Sequence, residues 1–301
     1  VHLQHSPSRP PPIPADLAAD TLDPRHFAKL AEVVEERIGI RLPAQKRMMV
    51  EGRLRRPARE AGFATLLEYG TFLFSGGGLE GEFDKITDAV TTNKTDFFRE
   101  AEHFAVLAQT LIPALLARRD RRPGEPIRLW SAACSTGAEA YTLAMVMAAL
   151  ETPPPGGTEI LGTDICTDVL QVARRAIYPD EMLDPIPAEI RRRYTMASAD
   201  RTAGIFRIVP ELRRMARFQH LNLMAPRFEV PPNIDVVFCR NVLIYFSLQV
   251  QRRVVASLMR HMRPGGFLIL GHAEPMVGNE MPGLKQVLPT VFQLETATRL
   301  A

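Results

Sequence analysis

Residues 127–139, IRLWSAACSTGAE, pass from an apolar run through small residues into a segment that favours helix. Residues 127–130 read as a buried strand and 138–150 as a helix. The small residues between them let backbone approach a ligand at the carboxyl end of a sheet. Only Gly137 of the turn is a glycine, so this is not the GxGxxG turn of dinucleotide enzymes. Working outward, residues 159–163, 234–238 and 266–270 read as strands, and 167–176 and 247–261 as helices. That alternation predicts an α/β fold with a parallel sheet covered on both faces. Residues 179–221 interrupt it. Residues 205–209 and 216–220 look like short strands there, so a small antiparallel excursion is expected. Val287 and residues 291–294 read as a closing antiparallel pair.

Upstream the rhythm is helical. Phe27, Leu30, Val34 and Ile38 recur at spacings of three and four after Asp23-Pro24, a cap and first-turn proline. A second helix is expected over 44–56, with Val50 and Leu54 on one face and Lys46, Arg53 and Arg56 on the opposite arc. Pro57 should kink or end it. Further helices are expected over 65–74 and 80–90, separated by Ser75-Gly76-Gly77-Gly78. Residues 21–90 thus predict a small all-helical domain and 91–301 an α/β domain with an insertion over 179–221. Residues 1–20, with Pro7, Pro10, Pro11, Pro12 and Pro14, predict a disordered tail.

The chain has 301 residues, 46% hydrophobic and 24% charged, enough for a substantial core. It has no uninterrupted apolar run of about 18 residues, so no membrane insertion is expected. Its first residues do not follow a secretory pattern. Cys134, Cys166 and Cys239 are far apart and fit reduced thiols in a cytoplasmic protein rather than a disulfide or zinc site. A net charge of +3 is too small to argue for nucleic acid. Its distribution is uneven: residues 41–60 carry seven bases (Arg41, Lys46, Arg47, Arg53, Arg55, Arg56, Arg59) against Glu51 and Glu60, which predicts one basic face.

Four stretches carry chemistry. After the turn at 131–137, Glu139 stands in the first helical turn, as a dipole partner or a counter-charge for a ligand ammonium. Gly162-Thr163-Asp164 ends the second strand, where an acid can accept hydrogen bonds from ribose hydroxyls. A helix N-cap would account for a lone aspartate, but the small-residue turn one βα unit earlier favours a nucleoside. Residues 238–246, FCRNVLIYF, put Arg240 and Asn241 at the mouth of the sheet, with Tyr245 four residues on. Residues 91–100, TTNKTDFFRE, join the two domains and are rich in hydroxyl and amide groups.

TTNKTDFFRE, WSAACSTGAEAYT, LGTDICTDVL, HLNL, DVVFCRNVLIYF and GGFLILGHAE occur in this order. Together they resemble the chemotaxis receptor methyltransferases, the CheR family, over residues 23–294. The resemblance implies a class I (Rossmann-like) methyltransferase sheet with an N-terminal all-helical domain and a small antiparallel β-subdomain insertion. It implies transfer of a methyl group from S-adenosylmethionine to glutamate carboxylates of chemotaxis receptors, releasing S-adenosylhomocysteine. By matched position, Asn93, Thr95, Arg99, Glu139, Asp164, Asn222, Leu223, Arg240 and Asn241 would contact the cofactor. Arg99 and Tyr245 would lie nearest the transferred methyl, and Lys46, Arg53 and Arg56 would dock the receptor's cytoplasmic helical domain. The chain departs from the family's pattern at Ala138, Ala273 and Pro57. Two rivals would be a methyltransferase for RNA or a small molecule and a non-catalytic cofactor sensor. One Trp and few Tyr argue against the first; retention of Arg99 and Tyr245 argues against the second.

Overall fold

The computed structural model describes residues 20–118 and 120–295, so the tail expected over 1–20 lies, Asp20 apart, outside the described residues. The chain forms two compact units, residues 20–33 with 42–90 and residues 34–41 with 91–295.

In the first unit, α1 (Pro24–Ile38) buries Phe27, Leu30, Val34 and Ile38 at the expected spacing, its last residues grouping with the second unit. A 3-10 turn over Ala44–Lys46 precedes α2 (Arg47–Glu60), so the helix begins later than expected and runs through Pro57 instead of stopping there. Pro57 is buried on the face that also carries Val50, Leu54 and Ala58. Packing on that face retains the helix although the ring removes one backbone donor. α3 (Leu66–Ser75) starts at a capping box in which Thr65 Oγ1 accepts from Glu68 N at 3.2 Å and Glu68 Oε2 accepts from Thr65 N at 3.1 Å. Such a cap contributes about 1 kcal/mol. α4 (Leu79–Val90) completes the unit.

Several bases of the expected basic face are held by this unit itself. Arg47 Nε donates to buried Glu51 at 2.8 Å, and Arg55 Nη2 to the Asp20 carbonyl at 3.0 Å. Half-buried Arg53 points at the Ala89 and Val90 carbonyls, 3.4 and 3.5 Å away, the negative end of α4. Lys46 is half-exposed; Arg56 is exposed and pairs with Glu60 at 2.8 Å.

The second unit begins with α5 (Glu102–Val106), a π turn over Leu107–Leu111 and α6 (Ile112–Leu116). Sequence reasoning missed this stretch, although Phe104, Leu107, Leu111 and Leu115 follow a helical spacing and are buried. Then come β1 (Ile127–Ala132), α7 (Ala138–Ala148), β2 (Thr158–Asp164), α8 (Thr167–Arg175), β3 (Ile177–Pro179), α9 (Ala188–Tyr194), β4 (Thr195–Ala197) and β5 (Ile205–Ile208). The unit closes with α10 (Pro210–Met215), β6 (Ala216–His220), β7 (Ile234–Cys239), α11 (Leu248–Met259), β8 (Met262–Leu270), α12 (Pro275–Asn279), β9 (Leu284–Leu288) and β10 (Val291–Leu294).

The main sheet has the order β6-β2-β1-β7-β8-β10-β9, parallel from β6 to β8 and antiparallel at β10 and β9. Its central strands are buried on both faces. Leu129, Val236 and Ile269 belong to one core cluster with Leu143 and Ala144 of α7. Trp130, Val237 and Leu268 belong to the other with Val254 and Leu258 of α11. The antiparallel excursion is the three-stranded sheet β3-β5-β4. The strand at 216–220 is not part of it: β6 pairs in parallel with β2, from Ile160↔Ala216 to Asp164↔His220. Gly162 explains the placement, because a Cβ there would lie 2.7 Å from the Phe218 ring that packs over it. β1 lies between β2 and β7, so the chain reverses direction across the sheet at β1 and β7. Ala132 pairs with Cys239, and the loops that follow these strands open side by side at that switch point.

Candidate functional site

The turn after β1 is held in an uncommon conformation. Ala133, Ser135 and Gly137 have φ of 61°, 50° and 83°. A Cβ at Gly137 would lie 2.8 Å from the Ala173 Cβ, so only glycine fits where α7 begins. Asp164, at the end of β2, locks the turn. Its Oδ2 accepts from Ser135 N at 2.8 Å and its Oδ1 from Cys166 N at 2.9 Å. The aspartate therefore braces the loop that leads into α8 as well as lying at the carboxyl edge of the sheet. Ser135 Oγ donates to the Asn93 carbonyl at 2.8 Å, and Asn93 Nδ2 lies 3.3 Å from Cys166 Sγ. Asn93, Ser135 and Asp164, from three separate motifs, thus form one connected set.

Arg240, at the end of β7, organises a second set. Its side chain is almost fully buried; Nη1 donates to Glu139 Oε2 at 3.0 Å, and Nη2 lies 3.1 Å from Glu100 Oε2. Nη2 also donates to the Arg99 carbonyl. Ser131 Oγ donates to the other oxygen of Glu139 at 2.7 Å, and Asn241 Nδ2 to Glu100 Oε1 at 3.0 Å. Burial pushes the Glu100 carboxyl upward, but the Asn241 amide and the Arg240 charge outweigh it and hold the group below its usual range. His103 is buried nearby, and burial together with the Arg240 charge lowers its pKa to about 4. Two carboxylates around one guanidinium leave a net negative charge, which suits a cationic ligand group.

Glu274 was not among the expected site residues. Buried at 4% exposure, it accepts from Gly271 N and Asn241 N at 2.8 Å each through Oε2. Its Oε1 accepts from Leu243 N at 2.7 Å and Ile244 N at 3.3 Å. One carboxylate therefore shapes the whole 241–244 turn. Gly271 allows this approach, since a Cβ there would lie 2.7 Å from Glu274 Oε2. A glutamate three residues after a glycine at the end of a buried strand was the available signal.

Among the described residues, eight non-glycine residues have positive φ, and five of them (Phe98, Glu100, Ala133, Ser135, Asn241) lie in these loops. Backbone strain concentrates where ligands are held.

The remaining expected residues are more dispersed. Arg99 is exposed, its Nη1 donating to the Lys94 carbonyl at 3.1 Å. Thr95 is half-buried in the same loop, which Phe97 anchors. The Phe97 ring is fully buried, 5.0 Å from Tyr178 and 5.9 Å from Phe206 of the small sheet. Tyr178 in turn donates to the Thr136 carbonyl at 2.7 Å, tying β3 to the turn after β1. Tyr245 is half-buried at the end of the 3-10 turn Leu243–Tyr245. Both ends of the Asn222 side chain are engaged, Nδ2 with the Arg37 carbonyl and Oδ1 with Met224 N, each at 2.8 Å. Leu223 is buried beside it. The three cysteines are buried and form no disulfide.

The family model described as CheR methyltransferase, SAM binding domain matches residues 93–290, and the CheR methyltransferase all-alpha domain matches residues 25–91. The chain belongs to the CheR methyltransferase family. It is 37% identical over 253 residues to chemotaxis protein methyltransferase 2 of Pseudomonas aeruginosa, covering 83% of this chain and 86% of that relative. It is 37% identical to the chemotaxis protein methyltransferase of Escherichia coli, covering 84% and 85%, and 31% identical to that of Borreliella burgdorferi, covering 89% and 93%. As a CheR enzyme the chain is an S-adenosylmethionine-dependent protein-glutamate methyltransferase that acts in chemotaxis. The donor set fits the cofactor: a carboxylate fixed by two backbone N–H groups for a ribose, and a net-negative cluster for an ammonium.

Proposed function

We propose that the two connected sets form one cofactor cradle and that Arg99 and Tyr245 act at the methyl group transferred to the receptor glutamate. In this reading Asp164 receives the ribose hydroxyls, and Asn93 and Thr95 line the same side. Glu139, positioned by Arg240 and Ser131, faces the methionine ammonium, while Arg240 and Asn241 close the pocket. Because the Asn222 side chain is already engaged, its part beside the adenine is a backbone one, with Leu223 supplying the apolar contact.

When bound, S-adenosylmethionine supplies an electrophilic methyl on a sulfonium. A glutamate side chain titrates at about 4.3 in water, so the acceptor arrives ionised and needs no strong base. The protein's work is to align the acceptor oxygen and keep water out, an effect of proximity and orientation. Arg99 orients the acceptor carboxylate through its planar fork, and Tyr245 fixes the methyl side of the pocket.

The same reading places the protein in the cytoplasm, on the helical cytoplasmic domain of a methyl-accepting receptor. Among the described residues, no helix is long and apolar enough to cross a membrane. Lys46 and Arg56 supply positive charge for that docking; Arg53 contributes by holding α4 against α2. The observation that carries the proposal is the Arg240 hub, which joins residues of the 91–100, 131–139 and 238–246 motifs. Single-turnover methyl transfer with Arg99→Lys and Tyr245→Phe tests the roles at the methyl. Each should slow the chemical step at least tenfold while S-adenosylhomocysteine affinity stays within about threefold. Unchanged single-turnover rates would remove both residues from the mechanism.

A further inference from the structure

Behind Arg240, Glu100 meets two side chains to which the methyl-transfer scheme gives no task, His103 and His272. Their ligand atoms, one each from Glu100, His103 and His272, lie within 4.8 Å of one another. The tautomer of His103 follows from its neighbours. Thr290 Oγ1 donates to the Pro289 carbonyl at 2.7 Å, so its oxygen accepts from His103 Nε2, also at 2.7 Å. His103 Nδ1 therefore presents a lone pair. That atom faces Glu100 Oε2 at 3.5 Å; both are buried, and His103 Nδ1 has no protein hydrogen-bond partner. Two acceptors facing each other in a buried place need a positive centre between them. Arg240 Nη2, 3.1 Å from the Glu100 oxygen, balances the carboxylate but offers nothing to the imidazole. His272 Nε2 stands 4.0 Å from the same Glu100 oxygen and 2.7 Å from Glu102 Oε1, on a half-exposed side chain that can swing.

We propose that Glu100, His103 and His272 bind a divalent transition-metal ion of the Zn²⁺ type through Glu100 Oε2, His103 Nδ1 and His272 Nε2. Two imidazoles and one carboxylate suit zinc and its neighbours rather than magnesium or calcium. Zinc bonds of about 2.1 Å put tetrahedral ligand atoms about 3.4 Å apart. The His103–Glu100 separation of 3.5 Å already meets this, and the half-exposed His272 side chain must move in by about 0.6 to 1.4 Å to reach both. To ligate, His272 carries its proton on Nδ1 and gives up the contact with Glu102. Thr290, holding the far nitrogen of His103, is the outer-shell partner that metal-bound imidazoles have.

The test is calorimetric titration of the untagged, chelator-treated full chain with ZnCl₂, together with the visible spectrum of the Co²⁺-loaded protein. A His2→Ala/His5→Ala variant serves as background, since those N-terminal histidines can bind metal by themselves. One equivalent of Zn²⁺ should bind in that background, and Co²⁺ should give the absorption of a tetrahedral nitrogen–oxygen site. His272→Ala should weaken binding at least tenfold, and MgCl₂ should give no heat. Because His272 is half-exposed its removal leaves the fold intact, which a thermal melt checks. His103→Gln, riskier for folding, should abolish binding. No Zn²⁺ binding in the background variant, or binding that His272→Ala leaves unchanged, would overturn the proposal.

Discussion

Replacing Glu274 with glutamine keeps the size of the side chain and removes half of what it does. The carboxylate accepts two backbone N–H bonds at each oxygen, to Gly271 and Asn241 on one side and Leu243 and Ile244 on the other. A glutamine oxygen keeps one pair and turns its own N–H₂ towards the other, leaving two buried donors without acceptors. At about 1–3 kcal/mol per stranded group the loss would be about 2–6 kcal/mol. Burial, however, pushes the Glu274 carboxyl above its ordinary range despite the four donors, so part of their contribution only offsets desolvation. The low end is therefore expected, about 2 kcal/mol, against a whole-domain stability of about 5–15 kcal/mol. The protein stays folded but the 241–244 turn loosens, and with it the hold of Asn241 on Glu100. Urea denaturation followed by circular dichroism should show the stability loss. Calorimetry with S-adenosylhomocysteine should show affinity weakened about tenfold. A variant that loses less than about 0.5 kcal/mol and binds as tightly as the parent would refute the reasoning, since a turn with spare support does not need this carboxylate.

Other outcomes follow from the same geometry. Asp164→Asn should raise the S-adenosylhomocysteine Kd about 10- to 100-fold by calorimetry, because it weakens both the acceptor proposed for the ribose and the brace on Ser135. Asp235→Ala should destabilise the fold by about 3–5 kcal/mol in urea titration. Fully buried Asp235 pairs with Arg121 and Arg263 and accepts from Arg128 N at 2.9 Å. Among the described residues, its loss leaves buried Arg121 with backbone carbonyls as partners and Arg263 with Glu125. Arg56→Glu should raise the KM for a receptor fragment more than it lowers kcat, and the effect should shrink with added salt. An unchanged KM would remove Arg56 from the docking surface.

Most of the α/β unit was legible because its chemistry is local. A buried strand, a small-residue turn and a helix leave a distinct pattern at 127–150, and the acid at the end of β2 follows one unit later. The parts that were not legible depend on partners remote in sequence. Residues 216–220 mark a strand but not its sheet; Phe218 packing over Gly162 decides that. Pro57 reads as a helix stop until the face it shares with Val50 and Leu54 is known to be buried. The basic run at 41–60 reads as one surface, whereas Arg47, Arg53 and Arg55 are recruited to hold the helices together. Glu274 escaped notice because its role lies in four backbone groups, three of them about 30 residues away, which side-chain patterns do not display.

The central claim is transfer of a methyl group to glutamate carboxylates, and one measurement reaches it directly. The protein is incubated with methyl-labelled S-adenosylmethionine and a purified cytoplasmic fragment of a methyl-accepting receptor, and the product is treated with mild base. The account predicts label on the fragment that base releases as methanol, and no label when the receptor glutamates are replaced by alanine. Base-stable label, or label that survives removal of those glutamates, would contradict it.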